Sequence, residues 1–333
     1  MFELLGISLL LACLLTFNSL ATLATDLLWR LAGGWTDEWT AQSRVRLLFL
    51  LRISPGSIAI FLAVFLLIPA YLAYEPRHTN ESVSFKLGLL AFLSAIGIGS
   101  AVFRSIAAWR ATRRLTEDWL LSAEPISIEG IQITTYTIEH AFPVIAIVGV
   151  FRPRLFIASH ILDLLSPEEV TAALAHEKGH LIARDNLKRG LMRACRDALL
   201  IIPNGRLLDR AWAAAAEAAA DENAAQQGGS VALDLASALV KVARSIPHGG
   251  RPTMPAGVFL FGDDDEAKGI KARVRRLLEF AASDRRPEKR SFFGNPGFLG
   301  LAGLLLIVSF LFHSQAILLN VHAMIEHAVQ LLN

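Results

Sequence analysis

Leu165-Ser166-Pro167-Glu168-Glu169, followed after a short apolar run by Leu174-Ala175-His176-Glu177-Lys178-Gly179-His180, decides how the rest of the chain is read. Serine at an N-cap, proline at the first helical position and glutamate three residues after the cap spell a helix start, and helical character continues to about Asp185. On that helix His176 and His180 are four residues apart, so they project from one face one turn above the other. Both imidazoles can then reach a single metal ion, and Glu177 beside the first is placed to touch a water on that ion. The chemistry depends on the helix, and the helix signal is strong.

Around this element the pattern changes twice. Ile126 to Ile138 has the alternation and β-branched residues of strands with Gly130 as a turn, and Val144 to Val150 with Leu155 to Ala158 reads as a hairpin across Phe151-Arg152-Pro153-Arg154. A small sheet therefore precedes the helix. After it, further helices are expected over Leu187 to Leu200, Leu207 to Gln226, Val231 to Ser245 and Glu266 to Ala282, broken by glycine- and proline-containing stretches. A tetrahedral zinc site needs a third protein ligand. Glu217 is the natural one: it sits in a helix that is otherwise almost entirely alanine, with Asp221 four residues on and pointing the same way. Asp221 is then placed to orient a ligand histidine by accepting its free ring N–H.

The remainder of the chain is oily. The sequence has 333 residues, of which 53% are hydrophobic and 19% charged, with a mean hydropathy of +0.46 and 32 Lys+Arg against 30 Asp+Glu. That balance excludes a disordered chain, a coiled coil and a nucleic-acid binder that works by bulk positive charge. Cys13 and Cys195 are too few and too separated for a disulfide framework or a cysteine zinc knuckle. Uncharged stretches over about 4–25, 53–74 and 87–109, and a fourth inside Ser291 to Asn320, are each suited to cross about 30 Å of hydrocarbon, the third only if Arg104 snorkels. Arg30, Arg44 and Arg46, then Arg110, Arg113 and Arg114, then Arg285, Arg286, Lys289 and Arg290 gather on one side of these spans. By the positive-inside rule that side is cytoplasmic. The expected fold class is an α-helical integral membrane protein with four transmembrane helices and a mainly helical α+β zinc metalloprotease domain inserted between the third and fourth. The expected division is 1–109, 110–290 and 291–333, the last piece a fourth span with a short outer tail.

The combination of Leu174 to His180, Arg184-Asp185-Asn186-Leu187 and Glu217-x-x-x-Asp221 resembles the membrane zinc metallopeptidases of the beta-lactam sensor-transducer (antirepressor) type. Gly149-Val150-Phe151-Arg152-Pro153-Arg154 and Leu165 to Glu169 are similar to that family's approach to its zinc helix. The resemblance covers most of residues 100–290. It implies zinc, one ion per chain, held by His176, His180 and Glu217, with Glu177 as catalytic acid/base. It also implies a protein or peptide substrate, a transcriptional repressor being one candidate, in the bacterial inner membrane. No S-x-x-K follows the last span, so direct antibiotic sensing is not expected. The related prenyl-protein and heat-shock-type membrane peptidases rank second, because their His-Pro element has only Pro247-His248, in reversed order, as a counterpart before Lys271-Ala272-Arg273-Val274.

Several residues remain open at this stage. Tyr136, His160, His248 and Arg273 are candidates for stabilising a developing oxyanion, and the hairpin at Val144 to Ala158 offers an edge on which a substrate could lie as an added strand. His313 and Gln315 in the fourth expected span read as interhelical hydrogen-bonding groups, the basic run 285–290 as a membrane anchor touching lipid headgroups, and Asp263-Asp264-Asp265 as a solvated turn. Partners beyond substrate and lipid are a sensor protein or a second copy of the chain, without direct nucleic-acid binding. A non-catalytic signalling scaffold is the reading of another class.

Overall fold

The computed structural model describes residues 2–77, 83–128, 133–198, 206–246, 266–282 and 314–332. Three long rods dominate its first third. Helix α1 (Phe2–Ala32) leads through a short 3-10 turn to α2 (Ala41–Leu62), which Thr40 caps by accepting from the Ser43 N–H. Helix α2 passes through a π turn at Ala63–Leu67 into α3 (Ile68–Tyr74). Pro69 has no N–H to offer the carbonyl four residues back, and the register widens just there. Helix α4 (Phe85–Leu121) is the third rod. Among the described residues, 2–36, 41–74 and 85–121 are long and apolar enough to cross a membrane, and each contains one of the first three expected spans. Helix α4 runs without a break past the boundary expected at 109, carrying Arg110, Arg113 and Arg114 on the same rod. The fourth expected span falls mainly outside the described residues; the chain resumes with helix α11 (Gln315–Leu332).

The short strands β1 (Glu124–Ile126), β2 (Thr135–Ile138), β3 (Ile145–Val148) and β4 (Arg154–Ala158) form one sheet in the order β1-β2-β4-β3. Strands β3 and β4 are the expected hairpin, while β2 pairs with β4 in parallel, which leaves β3 on the rim. The hairpin reverses through Gly149, whose φ of +103° is open to glycine, and a Cβ there would come within 2.9 Å of the Arg152 carbonyl oxygen. Helix α5 (Ser159–Leu164) follows, then α6 (Pro167–Ala183), α7 (Asp185–Asp197), α8 (Arg206–Ala225), α9 (Gly229–Ser245) and α10 (Glu266–Ala282). The expected helices in this segment agree with these spans to within about two residues, except that α7 ends at Asp197, three before the expected Leu200, which lies outside the described residues.

Three apolar clusters hold the segment together. Phe156, Ile157 and Leu155 of β4 pack under Trp119 of α4 and against Leu174 of α6 and Val242 of α9. Ala172 and Ala175 of α6 meet Ala224 of α8, Leu235 and Leu239 of α9 and Leu277 of α10. Val45 and Leu48 of α2 meet Met192 of α7 and Leu208, Trp212 and Ala215 of α8. The last cluster seats the helical segment on a rod that is itself a candidate span. At its border the Arg52 side chain, 1% exposed, donates to Asp209 Oδ1 at 3.1 Å, and Arg196 donates to the other oxygen of that carboxylate at 3.0 Å.

Candidate active site

The local chemistry of α6 sets the site's position. Ser166 accepts from the Glu169 N–H and the Glu169 carboxylate accepts from the Ser166 N–H at 2.8 Å, the reciprocal box expected from the sequence. Glu169 is buried and also accepts from Ser237 at 2.6 Å and Lys241 at 2.7 Å, so the start of α6 is tied to α9. Burial pushes the Glu169 carboxyl up, but the donors from Lys241, Ser237 and the Ser166 N–H outweigh it and hold the group below its ordinary value. At the other end Arg184 adopts a left-handed conformation, φ 54°. It closes α6 and opens α7, and the reversal folds Asp185 back so that its Oδ2 lies 2.8 Å from His180 Nδ1.

Helix α8 crosses α6 at Gly179, where a Cβ would be only 3.1 Å from the Ala220 Cα. That close approach brings the predicted residues together. His176 Nε2 and His180 Nε2 are 3.2 Å apart, and the Glu217 carboxylate oxygens lie 3.5 Å from the first and 3.6 Å from the second. Asp221 Oδ1 is 3.0 Å from His176 Nδ1, and Asp221 is entirely buried. Glu177 lines the same cavity, and its carboxyl is pushed up, first by burial. The cavity measures about 680 Å³ and is walled by Ile145 and Ile147 of the rim strand with Gly149 of the turn that follows, and by Leu235, Leu239 and Ile270.

Of the open candidates, one reaches the centre. Arg273, on α10, places Nη1 2.9 Å from Glu217, and Nη2 and Nε at 2.7 and 2.9 Å from the two oxygens of Asp221. It holds the Glu217 carboxyl well below the usual carboxylate range against the opposing effect of burial. Tyr136 instead stacks on Phe156 at 5.5 Å within the sheet, His160 lies on α5 outside the cavity lining, and His248 lies outside the described residues, as do His313, the run 285–290 and Asp263 to Asp265. Asp185 and Asn186 belong to the family resemblance, which implies no role for either. Asn186 Nδ2 donates to the Ile147 and Gly149 carbonyls at 3.0 and 3.3 Å, pinning the end of β3 beside the site. A carboxylate five residues after the second histidine, just past a helix end, is the signal that could have marked Asp185.

Donor chemistry tests whether a metal fits. Each imidazole turns Nδ1 to a carboxylate, which favours the tautomer with that nitrogen protonated and the Nε2 lone pair free. Two ring nitrogens and a carboxylate then face one another across 3.2 to 3.6 Å, with the Arg273 guanidinium 2.9 Å from Glu217 and 3.4 Å from His176 Nε2. Burial lowers the His180 pKa, but Asp185 and Glu217 overcome it and push the group up to about 10, the response of a ring that faces anions. The donor atoms of His176, His180 and Glu217 lie within 4.8 Å of one another and could form a metal site. Two imidazoles and one carboxylate suit zinc and leave a fourth position for water or substrate.

Residues 112–246 match the model of Peptidase family M48. The M48 match starts inside α4 and ends after α9, so it takes in the sheet, His176, Glu177, His180, Glu217 and Asp221, and it leaves Arg273 beyond its end. It implies a metallopeptidase, a hydrolase of peptide bonds, in a family that is zinc-dependent in general. It does not single out the sensor-transducer type. No curated protein matches the chain.

Proposed function

We propose that the chain is a membrane-anchored zinc endopeptidase, with His176, His180 and Glu217 holding the ion and Glu177 acting as general base and then general acid. The convergence of those three donors at the floor of a cavity whose wall is the rim of a β-sheet carries the reading. Zinc at such a site supplies Lewis acidity toward a peptide carbonyl and lowers the pKa of water. The protein's own residues supply the rest. A peptide laid along β3 gains main-chain hydrogen bonds on the free edge of that strand, and Asn186 keeps the strand end from drifting. Glu177 takes a proton from the attacking water as the C–O bond forms, and returns it to the amine nitrogen as the C–N bond breaks. Burial pushes its carboxyl up, which strengthens it as a base. Asp185 and Asp221 hold the two imidazoles in orientation, and Arg273 keeps Glu217 and Asp221 ionised and apart.

The distribution of Lys and Arg supports a cytoplasmic placement of this domain at the bacterial inner membrane. The substrate in this reading is a cytoplasmic protein, with a repressor as the signalling candidate. A second reading, quality control of membrane proteins, is favoured by the seat of α8 on α2, which sets the cavity close to where a chain would leave the bilayer. Glu177→Gln tests the chemistry. It is expected to keep zinc and lose about 10² to 10⁴ of the cleavage rate on an unfolded protein in detergent; undiminished cleavage refutes the role. The same variant, inactive but still binding, serves as a trap in native membranes: a captured soluble regulator supports the first reading and captured membrane proteins the second.

A further inference from the structure

Helix α7 runs from the metal cluster to the ends of two candidate spans. Asp185 at its start faces His180, and Asp197 at its end, about 18 Å further along the helix, lies 3.3 Å from Arg104 Nη1 on α4. Arg196 is 3.5 Å from the same Asp197 oxygen and 3.0 Å from one oxygen of Asp209, whose other oxygen accepts from Arg52 on α2. From Arg52 through Asp209, Arg196 and Asp197 to Arg104, one unbroken line of ion pairs therefore crosses α2, α8, α7 and α4. Arg52 stands just before the uncharged stretch 53–74, and Arg104 just after the one over 87–103. The line thus marks the level at which both rods change from apolar to charged residues.

Arg193, one turn before Asp197, stands beside this line. It is half-buried and, among the described residues, makes no hydrogen bond or ion pair. Burial first and the neighbouring Arg196 next hold its guanidinium below the ordinary value, against the opposing pull of Asp197 and Asp209. Arg52, Arg104, Arg193 and Arg196 thus share only Asp197 and Asp209, and the local excess is positive. The excess is open to the outside, since Arg104 is 61% exposed and Arg196 36%. We propose that Arg104, Arg193 and Arg196 form a headgroup site for an anionic phospholipid in the leaflet on the protease side. The paired oxygens of a phosphodiester match the guanidinium fork. A zwitterionic lipid brings an ammonium of its own and does not offset the excess. Ile98, Val102 and Phe103, exposed on α4 in the turns before Arg104, offer acyl chains an apolar surface, and the exposed Trp109 beyond it is of the type that collects at headgroup depth. Cations and oily surface adjoin here, which favours a membrane lipid over a free phosphate. The inference rests on the membrane anchorage proposed above and is independent of the cleavage chemistry.

Full-length protein in detergent, mixed with equal amounts of phosphatidylglycerol and phosphatidylcholine, tests the site when the lipid that stays bound is read by native mass spectrometry. Phosphatidylglycerol is expected to be held in preference to phosphatidylcholine. Arg193→Gln breaks no hydrogen bond or ion pair among the described residues, so the thermal midpoint of the lipid-free protein should not move. Retained phosphatidylglycerol is expected to fall about fivefold in that variant, the effect of one cation beside an anionic surface. Arg30→Gln, at an exposed position on the same side of the spans, controls for a diffuse belt of positive charge and should change retention less than about twofold. Excess inorganic phosphate is expected to leave the lipid in place. Equal retention of the two lipids by a chain that needs detergent, an equal loss from Arg30→Gln, or release of the lipid by inorganic phosphate overturns the site alone. A chain that stays monodisperse without detergent overturns it together with the anchorage.

Discussion

Gly179→Ala puts the close crossing of α6 and α8 to the test, because two opposing effects of similar size meet at one atom. In an isolated helix the change would be favourable by about 1 kcal/mol, since glycine spends more backbone entropy than alanine. Here the new Cβ would stand 3.1 Å from the Cα of Ala220, 3.4 Å from its Cβ and 3.5 Å from the Cβ of Asn223. Carbon atoms prefer about 3.5 to 4.0 Å. The first contact is with backbone, which cannot rotate aside, so the helices must part by a few tenths of an ångström. Overpacking of that kind costs about 1 to 3 kcal/mol. The cost exceeds the gain, and a net loss of about 1 kcal/mol is expected, read as a fall of about 2 to 4 °C in the thermal midpoint. The parting has a second consequence, because α6 carries His176 and His180 while α8 carries Glu217. Separations of 3.5 and 3.6 Å between them widen, and zinc affinity measured against a competing chelator should fall with the midpoint. Gly190→Ala on α7 is the control: nothing lies within 4 Å of its added Cβ, so it should stabilise by up to about 1 kcal/mol with metal affinity unchanged. If Gly179→Ala behaves like that control, the close crossing does not set the site and the reasoning fails.

Three further outcomes follow from the contacts described. Because the Glu169 carboxyl titrates below its ordinary value, its contribution is complete above the unfolded value of about 4.3 and is lost as pH falls through the folded one. Glu169→Gln should therefore cost about 1 to 2 kcal/mol at pH 7 and progressively less in acid, and denaturation curves that stay equally separated at both pH values would contradict this. Asn186→Ala removes two hydrogen bonds to the end of β3 and is expected to raise KM several-fold with a smaller change in kcat; an unchanged KM would mean that β3 does not hold substrate. Asp209→Ala leaves the buried Arg52 guanidinium without its carboxylate and should destabilise by about 3 kcal/mol, most of it recovered when Arg52→Met is added; no recovery would show that the loss does not come from the stranded charge.

What could be read from the sequence divides by the range of the interactions. The capping box at Ser166, the helix that bears His176 and His180, and the β3–β4 hairpin are all local, and each was written in consecutive residues with their own stop and start signals. Glu217 and Asp221 were legible at longer range only because alanine surrounds them, and the structure gives the reason: small side chains let α8 approach Gly179 closely enough for a carboxylate to reach both rings. The parallel pairing of β2 with β4, which makes β3 the rim, was not legible, because alternation marks a strand without naming its neighbour. The extension of α4 past residue 109 was also missed. A change from apolar to basic residues marks the edge of a bilayer, not the end of a helix, and nothing between Arg104 and Leu121 breaks one.

Arg273 stands among four oxyanion candidates in the sequence, but its role lay beyond pattern reading. Lys271-Ala272-Arg273-Val274 does not itself say what the residue touches; its meaning comes from two carboxylates more than fifty positions earlier. Glu217 and Asp221 are one turn apart in a buried place and repel each other, and in that setting one of them would take up a proton if left alone. A protonated Glu217 would be a poor ligand, and a protonated Asp221 could no longer accept from His176. The planar guanidinium meets both carboxylates at once, with separate nitrogens on each, and holds them ionised. A lysine at the same place could supply the charge but not the fork. Arg273→Lys should accordingly keep the fold and lose zinc affinity more steeply than wild type as pH falls, since the carboxylates would then compete for protons. A metal-binding pH profile parallel to that of wild type would mean that Arg273 merely packs α10 against α8.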